Sequence, residues 1–119
     1  MCSSLLIHVH TAPDDAPLGL IARSVTANTI DLSWYPPPVE SQNGIITSYR
    51  LIIVELETKE KGTLKTSTTK ATVENLHPFH TYNISVTAIT IDAGPYSLPI
   101  MVKTLEDGQS FHLFCYTED

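Results

Sequence analysis

Hydrophobic and polar residues alternate with a period of two along the middle of the chain. In residues 29–34, Ile30, Leu32 and Trp34 fall on one face with polar residues between them, and residues 82–88 repeat this pattern. Side chains of a β-strand point alternately to the two faces of its sheet, so this period predicts strands that bury one face. No segment has a convincing helical period of 3.6 residues. The pattern therefore favours an all-β fold.

Seven segments have the composition and period of strands. They are residues 18–25, 29–34, 47–56, 64–68, 69–73, 82–88 and 98–104. Turn-forming residues separate them, and the three consecutive prolines at 36–38 mark the longest loop, because proline donates no hydrogen bond to a sheet. We expect this loop to lead from one sheet to the other. The order of elements predicts a seven-stranded antiparallel β-sandwich with an immunoglobulin-like architecture.

Length and charge restrict the partners of this domain. A chain of 119 residues is long enough for one domain with its own core. The net charge of −6 leaves no basic stripe for phosphates, which argues against nucleic acid and against direct contact with an anionic membrane. No apolar run approaches the ~20 residues that a membrane-spanning helix needs. Proteins and saccharides remain as partners.

Several separated motifs occur in the order typical of one family. Trp34 is followed by prolines and by Asn43-Gly44, and farther along come the motif NLHPFHTYNISV and a Gly-Pro-Tyr-Ser turn. Over residues 17–106 the chain resembles the fibronectin type III domain. The resemblance implies a non-catalytic scaffold of the kind found in tandem arrays of cell-surface receptors, among them adhesion receptors and receptor-type protein tyrosine phosphatases.

The resemblance also assigns structural roles to four residues. Leu76, Pro78 and Tyr82 match the family's tyrosine corner, in which the tyrosine hydroxyl bonds to the backbone a few residues upstream, here near His77. Trp34 is expected to fill the space between the two sheets. All four are therefore assigned to folding and not to chemistry.

Catalytic and metal-binding motifs are not indicated. The chain has no nucleophile elbow and no glycine-rich phosphate loop. The pairs His8/His10 and His77/His80 are not joined in the sequence by a third residue at the spacing of a zinc site. We therefore expect no enzyme activity, no cofactor and no metal.

One N-glycosylation sequon lies in the sixth predicted strand. It is the triplet Asn83-Ile84-Ser85. The alternation that buries Tyr82 and Ile84 directs Asn83 outward, where a glycan could attach if the chain enters the secretory pathway. A chance triplet is the alternative, because Asn and Ser suit an outward position in any case.

Two surfaces are candidates for binding a partner. Alternation directs Ile52, Val54, Ile89 and Met101 to the outer face of the sheet formed by the third, sixth and seventh strands. This face is either an interface, with a partner domain or with a second copy in weak self-association, or a set of scattered exposed side chains. Asp92, in the loop before the last strand, is either a carboxylate for an integrin's metal site or part of a simple turn.

The two ends of the chain are expected to lie outside the domain. The segment SLLIHVHT, from residue 4, matches SLPIMVKT, from residue 97, at five of eight positions, and the offset of 93 residues is about one repeat. Residues 1–16 are therefore predicted to be the last strand of a preceding repeat followed by a linker. Residues 107–119 are predicted to be a mobile tail.

The expected function is that of an extracellular interaction and spacer module, glycosylated and located in the outer part of a plasma-membrane protein. It would contact neighbouring repeats and a protein partner. The alternative is a structural repeat of an intracellular, muscle-type array. The outward sequon and the cysteine-free domain body favour the first. Cys2 and Cys115 fall in the end segments, as two free thiols or as a bridge, and do not decide the compartment.

Overall fold

A computed structural model describes residues 12–106. It contains seven strands and one short 3₁₀ helix. They are β1 (Leu18–Val25), β2 (Ile30–Tyr35), the 3₁₀ helix (Val39–Ser41), β3 (Ser48–Glu55), β4 (Lys61–Thr66), β5 (Lys70–Val73), β6 (Thr81–Ile89) and β7 (Ile100–Lys103). The predicted orphan strand at 4–11, the C-terminal tail at 107–119 and both cysteines lie outside the described residues.

The strands form two antiparallel sheets, as predicted. One sheet has the order β1-β2-β5 and the other the order β4-β3-β6-β7. The proline loop after β2 leads the chain from the first sheet to the second. The larger sheet contains β4 in addition to the three strands named from the sequence. The all-β sandwich prediction is therefore confirmed.

The core lies between the sheets and is built from alternate residues of each strand. In β2 the side chains of Ile30, Leu32 and Trp34 are buried, with polar residues between them. The opposite sheet contributes Tyr49, Leu51, Ile53, Tyr82, Ile84, Val86, Ala88 and Val102. The Trp34 ring meets the Tyr49 ring edge to face at a centroid distance of 5.5 Å. Each buried aliphatic side chain contributes about 1.5–3 kcal/mol to folding, so this layer dominates the stability.

Two strands begin two or more residues away from their predicted starts. β4 begins at Lys61 and not at residue 64, because the turn before it is tight enough to start the pairing early. β7 begins at Ile100 and not at Leu98, whose side chain is 87% exposed. Pro99 has no N–H to donate, so the regular ladder cannot extend back through it.

The described chain begins at one end of the sandwich. Asp14 N–H donates to Ser41 O at 2.7 Å, and Asn43 Nδ2 donates to Ala12 O at 2.9 Å. These bonds hold the first described residues against the β2–β3 loop. The β6–β7 loop lies at the same place, because Gly94 contacts Pro13 there. We call this end the N-terminal pole.

The chain leaves the sandwich at the opposite end. Leu105 N–H donates to Thr26 O at 3.1 Å, and Phe79 N–H donates to Leu105 O at 2.9 Å. The last described residues therefore lie between the β1–β2 turn and the β5–β6 loop. We call this end the C-terminal pole. Because β2 runs from the β1–β2 turn to the proline loop, the two poles lie one strand length apart.

Candidate functional site

β3 ends on a buried carboxylate at the C-terminal pole. Tyr49, Leu51 and Ile53 point into the core, and Glu55 follows them on the same face with a side chain only 4% exposed. An ionised carboxylate removed from water is costly unless other groups compensate its charge. The surroundings of Glu55 therefore define the most distinctive polar site in the described part of the chain.

Two histidines of the β5–β6 loop face this carboxylate. His77 Nε2 lies 3.8 Å from Glu55 Oε1, and His80 Nε2 lies 3.4 Å from Glu55 Oε2. The two imidazole centroids are 5.4 Å apart. Despite the short separation from His80, no described residue makes a hydrogen bond of good geometry to Oε2. Within the described part of the chain, Oε2 is therefore a buried acceptor without a donor.

Hydrogen bonds fix the backbone of the loop beneath the imidazoles. The Tyr82 hydroxyl accepts a hydrogen bond from His77 N–H at 2.8 Å, at the place where the tyrosine corner was expected. The Thr104 hydroxyl donates to His77 O at 2.7 Å and accepts from His80 N–H at 3.0 Å. Pro78 O lies 2.6 Å from His80 Nδ1. The loop therefore presents both rings to Glu55 from a well-anchored backbone.

A tight turn brings a second carboxylate to the same place. Lys59 N–H donates to Glu55 O and Glu55 N–H donates to Glu60 O, both at 2.8 Å, with Lys59 in the left-handed region at φ 66°. As a result, ligand atoms of Glu55, Glu60 and His77 lie within 4.8 Å of one another. Glu60 and His77 are exposed, whereas Glu55 is buried.

The pKa of the Tyr82 hydroxyl is changed by this environment. Burial raises the pKa of Tyr82 above its ordinary value of 10.0. The hydrogen bond from His77 N–H acts in the opposite direction, whereas the charge of Glu55 and a hydrogen bond to its carboxylate raise the pKa further. Tyr82 therefore stays a neutral hydroxyl that accepts from the His77 backbone and donates toward Glu55.

An open groove of about 470 Å³ lies between the β3–β4 hairpin and the β5–β6 loop, and Glu55, Glu60, His77 and Tyr82 are among the residues that line it. Ile53, Leu64 and Leu76 supply apolar surface, and Glu55 and His77 supply polar surface. Carboxylate oxygens with imidazole nitrogens form a donor set suited to a divalent transition-metal ion.

Sequence reasoning identified the histidine pair but missed the two carboxylates. The sequence analysis found no third ligand near His77 and His80, and the structure supplies Glu55 and Glu60 from a different hairpin. One signal was available. Glu55 continues the inward alternation of Ile53, and an acidic residue on a buried face needs a partner.

On the outer face of the larger sheet, Asn83 lies between two of the predicted interface residues. Its backbone pairs with Val54 on one side and with Met101 on the other, so the three form one cross-strand row. Ile52 lies in the next row, opposite Ser85. Met101 is 69% exposed, whereas Ile52, Val54 and Asn83 are half-buried.

The prediction that Ile89 faces solvent is wrong. Ile89 is only 8% exposed, although it lies outside the main core cluster. Thr47 N–H donates to its carbonyl at 2.9 Å on one side, and Ala93 forms a bridge to it on the other. Thr47, just before β3, and Ala93, in the loop after β6, thus lie on either side of the last residue of β6. Ile89 also pairs with Ser48, several residues from Ile52, so it is not part of the Asn83 row.

The remaining predicted residues lie as follows. Trp34 and Tyr82 are each 3% exposed, and Leu76 is half-buried against the core. Pro78 is half-buried in the β5–β6 loop. Asp92 is exposed in the β6–β7 loop, where its carbonyl accepts a hydrogen bond from the Thr90 amide at 3.3 Å.

Between residues 12 and 106, no helix has the length and apolar character needed to cross a lipid bilayer.

Comparison with known proteins identifies similar domains. Residues 15–103 match the sequence profile described as "Fibronectin type III domain". Receptor-type tyrosine-protein phosphatase F of Danio rerio is 34% identical over 100 residues, which is 83% of this chain and 5% of that protein. Tyrosine-protein phosphatase Lar of Drosophila melanogaster is 38% identical over 98 residues, which is 80% of this chain and 5% of that protein.

A solved structure agrees with these sequence matches. The FN5 domain of Drosophila Lar is similar with a TM-score of 0.65 and 29% identity, and the match covers 79% of this chain and 98% of that one. The matched segment is therefore one domain, and it spans about 5% of the length of the two phosphatases.

Proposed function

The chain belongs to the fibronectin type III family, and from that membership we propose that it acts as an extracellular spacer and interaction module of a multidomain cell-surface receptor. The domain itself is non-catalytic, because the similarity to the phosphatases covers only this one repeat. The receptor-type names of the phosphatase F relatives support a location at the cell surface.

The observation that carries the spacer role is the position of the two poles. The chain enters beside the β2–β3 loop and leaves beside the β1–β2 turn, so tandem copies would be joined end to end. Exposed apolar side chains lie at both poles, with Ile45 and Ile91 at the first and Phe79 and Leu105 at the second. Such side chains suit contacts with neighbouring repeats, because inter-domain contacts within a chain bury moderate apolar area.

An N-linked glycan on Asn83 is the occupant that fits the outer face. Asn83 stands between Val54 and Met101, so a glycan attached there would cover the apolar members of that row. The same glycan would keep a partner domain or a second copy from the row. The sequon also supports passage through the secretory pathway.

Surface labelling of cells that express the full-length parent protein tests the location. An antibody raised against this domain is expected to label intact, unpermeabilised cells. An antibody to a cytosolic protein is the control, and it should label only permeabilised cells. If the domain antibody behaves like that control, the extracellular assignment is wrong and an intracellular array is favoured.

A further inference from the structure

We propose that Glu55, Glu60, His77 and His80 bind a divalent transition-metal ion, with Zn²⁺ as the representative ion. The site lies at the C-terminal pole, between the β3–β4 turn and the β5–β6 loop. The proposal depends on the geometry of these side chains and is independent of the cellular location of the domain.

The first argument for a metal ion is the orientation of the His80 ring, which is fixed by the hydrogen bond at Nδ1. Pro78 O can only accept, so at 2.6 Å the proton of that bond belongs to Nδ1. The other ring nitrogen, Nε2, faces Glu55 Oε2 at 3.4 Å. Glu55 Oε2 is buried and has no hydrogen-bond donor of good geometry among the described residues. A cation held between these two atoms would provide the carboxylate oxygen with the partner that it lacks.

The second argument is the spacing of the donor atoms. Zinc bonds of about 2.0–2.2 Å in a tetrahedral site place neighbouring ligand atoms about 3.3 Å apart. The His80–Glu55 separation of 3.4 Å already matches, and His77 Nε2 lies 3.8 Å from Glu55 Oε1. Glu60 and His77 are exposed, so changes of side-chain rotamer can bring them closer without disturbing the core.

The surroundings resemble those of built metal sites. A histidine ligand commonly donates its other ring N–H to a backbone carbonyl, which fixes its tautomer, and Pro78 O has this role for His80. A bound cation would also compensate the buried charge of Glu55. Imidazole nitrogens favour zinc-like ions over Ca²⁺ and Mg²⁺, which prefer oxygen ligands.

Titration of the isotope-labelled full chain with ZnCl₂, followed by NMR, tests the proposal. The ring resonances of His77 and His80 are expected to shift together, and MgCl₂ at the same concentration should leave them unchanged. Further donors in the two end segments are His8, His10, His112, Cys2 and Cys115. Assignment of the shifted resonances to individual histidines separates the proposed site from those donors.

Variants give the affinity test. His77→Ala and Glu60→Gln are expected to weaken Zn²⁺ binding at the His80 ring by more than about tenfold, since even outer-shell partners are worth that much. Glu74→Gln is the matched control, because Glu74 lines the same groove outside the cluster, and it should bind as the parent does. Both substituted ligands are exposed, so the test does not depend on Glu55→Gln folding. Unchanged affinity in both variants, or Zn²⁺ shifts confined to the end segments, would overturn the proposal.

Discussion

Glu55 meets two opposing demands at a single position. The register of β3 directs its side chain to the inward face, yet its charge needs polar partners. The backbone pairing of Glu55 with Tyr82 places the tyrosine hydroxyl beside it, and the β5–β6 loop adds His77. This residue therefore lies where the hydrophobic core meets the polar groove.

Tyr82→Phe tests the importance of the tyrosine hydroxyl. The substitution leaves His77 N–H without its acceptor, so we expect the free energy of unfolding to fall by about 1–2 kcal/mol. Urea denaturation measures the change. Tyr35→Phe, at a 70% exposed position, is the control and should change stability by less than about 0.5 kcal/mol. An equally small effect for Tyr82→Phe would show that the corner bond does not stabilise the fold.

Asp31 provides a second residue-scale prediction. Hydrogen bonds from Thr72 Oγ1 at 2.6 Å and Ser24 Oγ at 2.8 Å lower its pKa below the ordinary value of 3.8. A lowered carboxyl pKa stabilises the fold above the pKa of the unfolded chain, and this contribution is lost as the pH falls through the folded value. The affected range therefore lies below about pH 4.

Thr72→Val should raise the pKa of Asp31 toward its ordinary value, because the larger of the two hydrogen-bond effects is removed. NMR titration of the carboxyl carbon measures this shift. Thr63→Val makes the same chemical change at an exposed position of β4. It is the control and should leave the pKa of Asp31 unchanged. A pKa that stays the same in Thr72→Val would contradict the assigned cause.

At the scale of elements, all seven strands and most of their faces could be predicted, but the residues at which they begin could not. Composition and alternation located the strands, because both are properties of the local sequence. The start of β4 depends on the turn at Lys59 and Glu60, and the start of β7 depends on Pro99. Turn geometry and a missing N–H donor are effects of single residues. A periodic pattern of hydrophobic positions does not show where such a residue ends the pairing of a strand.

Gly94→Ala tests the contact between the β6–β7 loop and the first described residues. A Cβ at this position would lie 2.8 Å from Pro13 O, a backbone atom that cannot easily move. We expect a loss of about 1–3 kcal/mol in the free energy of unfolding, in the range of overpacked sites. Faster hydrogen exchange at the Asp14 amide should accompany it, because that amide donates to Ser41 O nearby.

Gly62→Ala is the matched control for this substitution. No atom of residues 12–106 lies within 4 Å of the position that its Cβ would occupy, so the change should be neutral or stabilising, by at most about 1 kcal/mol. If the two alanine variants have the same stability, close approach to Pro13 does not constrain residue 94.

At the scale of the whole molecule, a glycan on Asn83 and an interface on the outer face would exclude each other. The sequence suggested both, and the cross-strand row places Asn83 between Val54 and Met101. For the chain secreted from mammalian cells, we expect a mass decrease on glycosidase treatment and sedimentation as a monomer. Asn83→Gln should remove the mass difference, whereas Ser85→Thr, which preserves the sequon, should retain it. A secreted parent chain without a glycan would disprove this use of the face.

The sequence by itself determined the fold class, the seven strands and most of the core, because these follow from local periodicity and hydrophobic burial. It also indicated the family through several separated motifs that occur in a typical order along the chain. For Ile89 the local pattern failed, because segments beyond the strands enclose the end of β6.

Only the tertiary structure decided which groups meet at the C-terminal pole. Glu55 ends β3 and Glu60 lies in the turn that follows it, whereas His77 and His80 come from the loop that follows β5 of the other sheet. Periodicity indicates the face that a side chain occupies. Strand register and the paths of the loops decide its neighbours, and both depend on residues distant in the sequence.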